Sequence, residues 1–258
     1  HVLQCVKFKV MIHNFLWEKN KKNMKLIGKG NTAEVYDAGE GKILKLFVED
    51  YPKFAVEHEY KNARIMQSFH LPVPACFKMT EVDNRYGIVY EKVSGYDLYE
   101  YMIKNNAGEK GIEIFYNLQN QILNCKCNEL MSYKDFIKMI IGDKSPETIK
   151  KLDKLPDGEN ICHGDFHLWN ILIDDSGKAK VIDFMNVCRG PKLYDIARTF
   201  YLLQGDGSSD EGKSEEEMAI IRQREKLLDK YLVLHGVKKE ELQPYLEVIE
   251  VCHKCEML

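Results

Sequence analysis

At 258 residues, 45% hydrophobic and 30% charged, the chain can bury one large core or two modest lobes and is not of disordered composition. Its 37 basic and 40 acidic side chains leave a net charge of -3, which excludes the global positive field that draws nucleic acid or anionic lipid. Its 8 cysteines, in a chain of this length, do not make a small disulfide framework and suit a reducing, cytoplasmic setting.

Residues 1–23 are read as an N-terminal extension, in part vector-derived, because the chain opens on His1 and Met11 and Met24 offer alternative starts. The apolar stretch Val2–Trp17 is broken by Lys7, Lys9, His13 and Asn14 and has no small-residue cleavage pattern, so neither export nor membrane insertion is expected. From Met24 to Phe47 short apolar runs alternate with glycine, which predicts three antiparallel strands joined by tight turns. Pro52 opens an amphipathic helix to about Phe69, with Ala55, Val56, Tyr60, Ala63 and Met66 on one face and Glu57, Lys61 and Arg64 on the other. Two further strands, about Cys76–Val82 and Tyr86–Lys92, flank a turn at Asp83, Asn84 and Arg85. The expected first lobe, residues 24–92, is therefore a five-stranded antiparallel sheet with one helix.

Beyond Val93 the text turns helical, over Tyr96–Ile103, Gly111 to about Asn128, Tyr133–Ile141 and Pro146–Leu152. Short strand-like pieces follow around Ile161, Ile171 and Val181, then a helix over Lys192–Gln204. Gly205–Lys213 reads as loop, Ser214 with Glu217 as a capping box that starts a helix to about Leu234, and Lys239–His253 as a last helix. Residues 93–258 thus form a mainly helical second lobe, and the fold class is α+β. Cys252 and Cys255 have the spacing of half a zinc site, with no second pair to complete it.

The residues that carry chemistry lie in ICHGDFHLWNILIDDSGKAKVIDF. Asp165 is followed after five positions by Asn170 and after thirteen more by Asp183, the spacing of the Asp, Asn and Asp with which kinases orient an acceptor hydroxyl and hold magnesium. In the first lobe, Gly28, Gly30, Asn31 and Thr32 sit between the first two strands, where a glycine turn brings backbone N–H groups close to phosphates, although Ala33 replaces a third glycine and a plain hairpin would give the same text. Lys45 places a charge on a strand face shared with Ile43 and Phe47. Glu59 is the charged residue inside the apolar face of the following helix, so it, rather than Glu57, is the expected partner of Lys45.

HGDFHLWN and VIDF resemble the aminoglycoside phosphotransferase and choline kinase family, a branch of the protein-kinase-like bilobal fold, over about Met24 to the C-terminal helices. The resemblance implies Asp165 as the catalytic residue, Asn170 and Asp183 as magnesium ligands, and Lys45 with Glu59 on the phosphates of ATP or GTP. It implies that Glu91 to Val93 present backbone groups to the base between walls at Ile27 and Val35. Asp195 would brace the catalytic loop, an ordinary helix-dipole role being the alternative, and His163 and His167 would shape the loop.

Only eleven residues separate Asp183 from Asp195, without an Ala-Pro-Glu signature, and Gly164 stands where protein kinases carry arginine. The acceptor is therefore expected to be a small molecule such as an aminoglycoside, choline or amino sugar. Glu215, Glu216, Glu217, Glu240, Glu241, Glu247 and Glu250 give the C-terminal helices an acidic bias suited to a cation, if they are more than solvated faces. A nucleotide-binding interaction module and a compact atypical protein kinase are the alternatives. No nucleic-acid or membrane partner is expected, and the chain is read as a monomer or weak homodimer. Met185 departs from the Asp-Phe-Gly of protein kinases.

Overall fold

The computed structural model describes residues 24–204 and 215–256. The N-terminal extension, the Gly205–Lys213 loop and the Ser214 cap lie outside them. The chain divides into two compact units, one ending at Ser94 and one beginning at Gly95.

The first unit is a five-stranded antiparallel sheet of β1 (Lys25–Lys29), β2 (Ala33–Gly39), β3 (Lys42–Phe47), β4 (Cys76–Val82) and β5 (Arg85–Glu91), in the order β1-β2-β3-β5-β4. Leu44, Leu46, Val82 and Val89 are buried together on one face, with Tyr36 and Ala38 packed against them. The helix α1 (Lys53–Ser68) packs on β4 and β5 and buries Val56, Ala63 and Met66, each worth about 1.5–3 kcal/mol for a full-sized apolar side chain. The β4–β5 turn is shorter than its sequence suggests. Asp83 and Asn84, with φ of 49° and 60°, make a two-residue hairpin turn of the kind whose twist matches the strands. Arg85 belongs to β5, where its guanidinium donates to the Phe47 carbonyl at 2.7 Å and to Glu34 Oε2 at 2.9 Å.

The second unit contains β6 (Gly95–Asp97), α2 (Leu98–Lys104), α3 (Gly108–Leu123), α4 (Tyr133–Ile141), α5 (Pro146–Lys154), β7 (Asn160–Cys162), β8 (Ile171–Asp174), β9 (Ala179–Val181), β10 (Cys188–Gly190), α6 (Lys192–Gln204), α7 (Glu215–His235) and α8 (Lys239–Glu256). β6-β8-β9 and β10-β7 form two small antiparallel sheets. The helix expected from Tyr96 starts only at Leu98. Gly95 to Asp97 pair instead with β8, and Asp97 caps α2 by accepting from the Glu100 amide at 2.8 Å. The next helix is displaced towards the N-terminus of its expected span, and the last runs on to Glu256. Phe115 of α3 centres the core, with ring centroids 4.6 Å from Phe166 and 5.8 Å from Tyr231. No described helix is long and apolar enough to cross a membrane. Cys252 is buried, and among the described residues no group of three or more His, Cys, Asp or Glu side chains could hold a metal.

Candidate active site

Register in the β8–β9 hairpin assembles the chemistry of the second unit. Ile171 lies opposite Val181, and one rung further the Ile182 amide donates to the Asn170 carbonyl at 2.9 Å, so Asn170 and Asp183 leave the hairpin side by side. Asp165 stands before a single 3-10 turn, Leu168–Asn170, which brings Asn170 back to it. Asn170 Nδ2 donates to the Asp165 carbonyl at 2.9 Å and to its carboxylate at 3.1 Å. The Asp165 side chain is 29% exposed, open enough to meet a second molecule.

Burial pushes the Asp165 carboxyl upward, but the hydrogen bond and charge of His167, with the charge of Arg198, outweigh it and hold the group below the ordinary range. At neutral pH it is an ionised acceptor. His167 Nε2 lies 3.1 Å from Asn170 Nδ2 and 3.6 Å from Asp165 Oδ2, while its Nδ1 is buried without a partner. His167 Nε2 therefore faces both neighbours across one edge of its ring.

The loop is pinned from behind. The Gly164 amide donates to Asp195 Oδ1 at 2.7 Å, and its carbonyl accepts from Arg198 Nε at 3.1 Å. Gly164 has φ +76°, and a Cβ there would collide with the Asn186 carbonyl, so only glycine fits. Asp195 is fully buried, and burial raises its pKa against the amide of Gly164 and the side chain of Gln119. Gln119 Nε2 donates to Asp195 Oδ2 and Thr199 Oγ1 at 3.0 Å, while its oxygen accepts from Tyr231 at 2.7 Å and lies 3.1 Å from His235 Nε2. Arg198 pairs with Glu256 at 2.6 Å. His163 is buried and lies 3.1 Å from the Ile182 carbonyl, and burial lowers its pKa, which fits a loop-shaping group rather than a charged one. Asp183 itself carries the positive φ, 68°, while Met185 lies outside the left-handed region.

In the first unit Lys45 donates to both oxygens of Glu59 at 2.9 Å. Glu59 is wholly buried and also accepts from the Tyr90 hydroxyl at 3.0 Å, whereas Glu57 is exposed and pairs with Lys53 at 3.5 Å. Gly28 and Gly30 have no positive φ, and a Cβ at either would make only ordinary contacts of 3.6–3.7 Å. The fold does not itself demand glycine at either position. Asn31 and Thr32 are exposed at the same turn. The Glu91 amide donates to the Ala75 carbonyl at 2.8 Å and its side chain accepts from the Ala75 amide at 3.0 Å, so these two groups of Glu91 are committed within the sheet.

A magnesium ion wants hard oxygen ligands. Asn170 turns its nitrogen to Asp165, which leaves its oxygen for a cation, and Asp183 follows Ile182, whose amide donates to the Asn170 carbonyl. This donor set fits the ion. Part of the acidic bias of the C-terminal helices is spent, since Glu247 and Glu250 are each 2.7 Å from a lysine and Glu241 accepts from the Lys238 amide. The side chains of Glu215, Glu216 and Glu217 lie outside the described residues.

Sequence reading missed Gln119, Tyr90, Arg198 and Glu256. Gln119 had a signal, because it interrupts the apolar face of Ile112, Phe115 and Ile122 as Glu59 interrupts that of α1.

In fold the chain is similar to protein-kinase-like phosphotransferases, and the solved structures it matches are aminoglycoside phosphotransferases. Residues 144–233 match the model of a phosphotransferase enzyme family. A thermostable aminoglycoside phosphotransferase APH(4)-Ia without ligand superposes with TM-score 0.64 at 14% identity, over 93% of this chain and 90% of that one. APH(3'')-Id from Streptomyces rimosus, in complex with ADP and streptomycin, gives 0.62 at 16% identity over 92% and 97%. A ternary complex of APH(4)-Ia with AMP-PNP and hygromycin B gives 0.54 at 13% over 90% and 92%. Comparison with curated proteins by sequence gave no match.

Proposed function

We propose that the chain is a cytoplasmic small-molecule kinase that transfers the γ-phosphoryl group of ATP or GTP to a hydroxyl of a small cationic acceptor. The observation that carries this reading is the grouping of Asp165, Asn170 and Asp183 by one turn and one hairpin register. Asp165, ionised and partly exposed, accepts the hydrogen bond of the acceptor hydroxyl and aims its oxygen at the phosphorus. Asn170 and Asp183 hold magnesium, which neutralises charge on the phosphates when bound. Lys45, steadied by Glu59, pairs with the nucleotide phosphates, Gly28 to Thr32 cover them, and Val93 meets the base. Asp195, with His163, keeps the loop in shape.

A screen of ATP and GTP consumption with magnesium, against aminoglycosides, choline, ethanolamine and amino sugars, tests the reading with Asp165→Ala as control. Acceptor-dependent turnover that the variant lacks supports it. Nucleotide binding with no acceptor raising turnover above the variant would instead favour an interaction module.

A further inference from the structure

Tryptophan is among the side chains that gain most from burial, yet Trp169, inside the catalytic loop itself, is 52% exposed. Its ring centroid lies 5.3 Å from Tyr99 of α2, itself 44% exposed, and the two planes meet at 37° rather than covering each other. On the other side Trp169 lies 5.7 Å from the His167 ring, and His167 Nε2 lies 3.6 Å from Asp165 Oδ2. An open aromatic surface thus begins two side chains away from the group that must receive the acceptor hydroxyl.

Of the charged groups near this surface, Asp165 is the partly exposed carboxylate. Asp165 is on the same loop, and on α2 Glu100 and Lys104 satisfy each other at 2.7 Å. Asp97 is occupied as the α2 cap. Lys104 also lies 3.9 Å from the centroid of Tyr96, so one aromatic face of this region already holds an ammonium group. Among the described residues no cation lies over Tyr99 or Trp169. An aromatic face on the same loop as an ionised, partly exposed carboxylate attracts an ammonium or guanidinium group through both its quadrupole and the neighbouring charge.

We propose that Trp169 and Tyr99 form the acceptor platform of the kinase reading above, holding a cationic amine whose hydroxyl reaches Asp165. These two residues then select the acceptor by its cation, and the acidic C-terminal helices do so less.

Trp17 and Trp169 are the chain's 2 tryptophans, so in a Trp17→Phe background indole emission reports Trp169 alone. Streptomycin, choline and glucose are titrated as probes, with a separate thermal-shift titration of Mg-ATP. The expected result is a saturable emission change with streptomycin or choline and none with glucose. Trp169→Leu and Tyr99→Leu should each weaken calorimetric binding of that amine by roughly five- to thirtyfold, and Trp169→Phe should restore most of it. Both positions are exposed, so these variants are expected to fold, which circular dichroism checks. No response to either cation, an equal response to glucose, or undiminished amine binding by Trp169→Leu overturns the platform. Failure of Mg-ATP to shift the melting temperature sinks the kinase reading instead, and the amine titration is decided independently of it.

Discussion

Glu59 shows how far a single residue can be read from sequence. Helical periodicity placed it inside an apolar face and Glu57 on the solvated one, and the structure buries the first against Lys45 and leaves the second exposed. Tyr90 was not legible as the third member, because β5 is buried along most of its length and a tyrosine there reads as core. Removing one partner of a buried pair strands the other charge, at a cost of about 3 kcal/mol. Glu59→Ala is therefore expected to lower the melting temperature and to weaken nucleotide affinity together, read by calorimetry and Mg-ATP titration. Asp165→Asn behaves differently. Its partly exposed site tolerates the amide, so stability should hold while turnover falls by about 10²–10⁴-fold. Because the Asp165 pKa is lowered, the carboxylate stays ionised down through the ordinary aspartate range.

At the scale of elements, long periodic segments were legible, and of the three-residue strands β7 and β9 were while β6 and β10 were not. α4 and α6 occupy the spans their apolar patterns indicate, whereas β6 and β10 are too short to show a period of two and exist through their partners β8 and β7. The missing elements matter, since β6 leads into the helix that carries Tyr99. The link from α3 through Gln119 to α6 and α7 was likewise hidden, being made of contacts far apart in sequence. It gives the second unit a pH dependence. Burial, with a smaller effect of Lys192, lowers the His235 pKa to about 4. The unfolded chain, with a histidine pKa near 6.5, binds more protons than the fold between those values, so stability is present above about pH 6.5 and is lost as pH falls towards 4. The loss is on the order of 3 kcal/mol at most, and His235→Gln should flatten that part of the curve in denaturant titrations at stepped pH. Gly164→Ala tests the pinning of the loop. A Cβ cannot fit against Asn186 at φ +76°, so turnover is expected to fall with a loss of stability above 1 kcal/mol, from the same melts.

On the scale of the whole molecule, the two-unit α+β architecture follows from a sheet-first beginning and a helical remainder, while the identity of the acceptor does not. Solved structures of the same fold share only 13–16% of residues with this chain, and the matched family segment, residues 144–233, holds Asp165, Asn170 and Asp183 but not Lys45. The first unit's equipment had to be found by physics, from a charge on a strand and a charge on a helix face. This division makes a prediction about how the ligand stabilises the chain. A nucleotide that binds only the folded form raises stability by about 2.7 kcal/mol at a hundredfold excess over its Kd. If Lys45 holds the phosphates and Asn170 with Asp183 holds the metal, that gain has a part that needs magnesium and a part that does not. Asp183→Ala should remove the increment that magnesium adds to the ATP-induced melting shift and leave the shift in EDTA intact. Lys45→Ala should diminish both. Equal effects of the two substitutions, with and without magnesium, would show that the separation of roles between Lys45 and Asp183 is wrong.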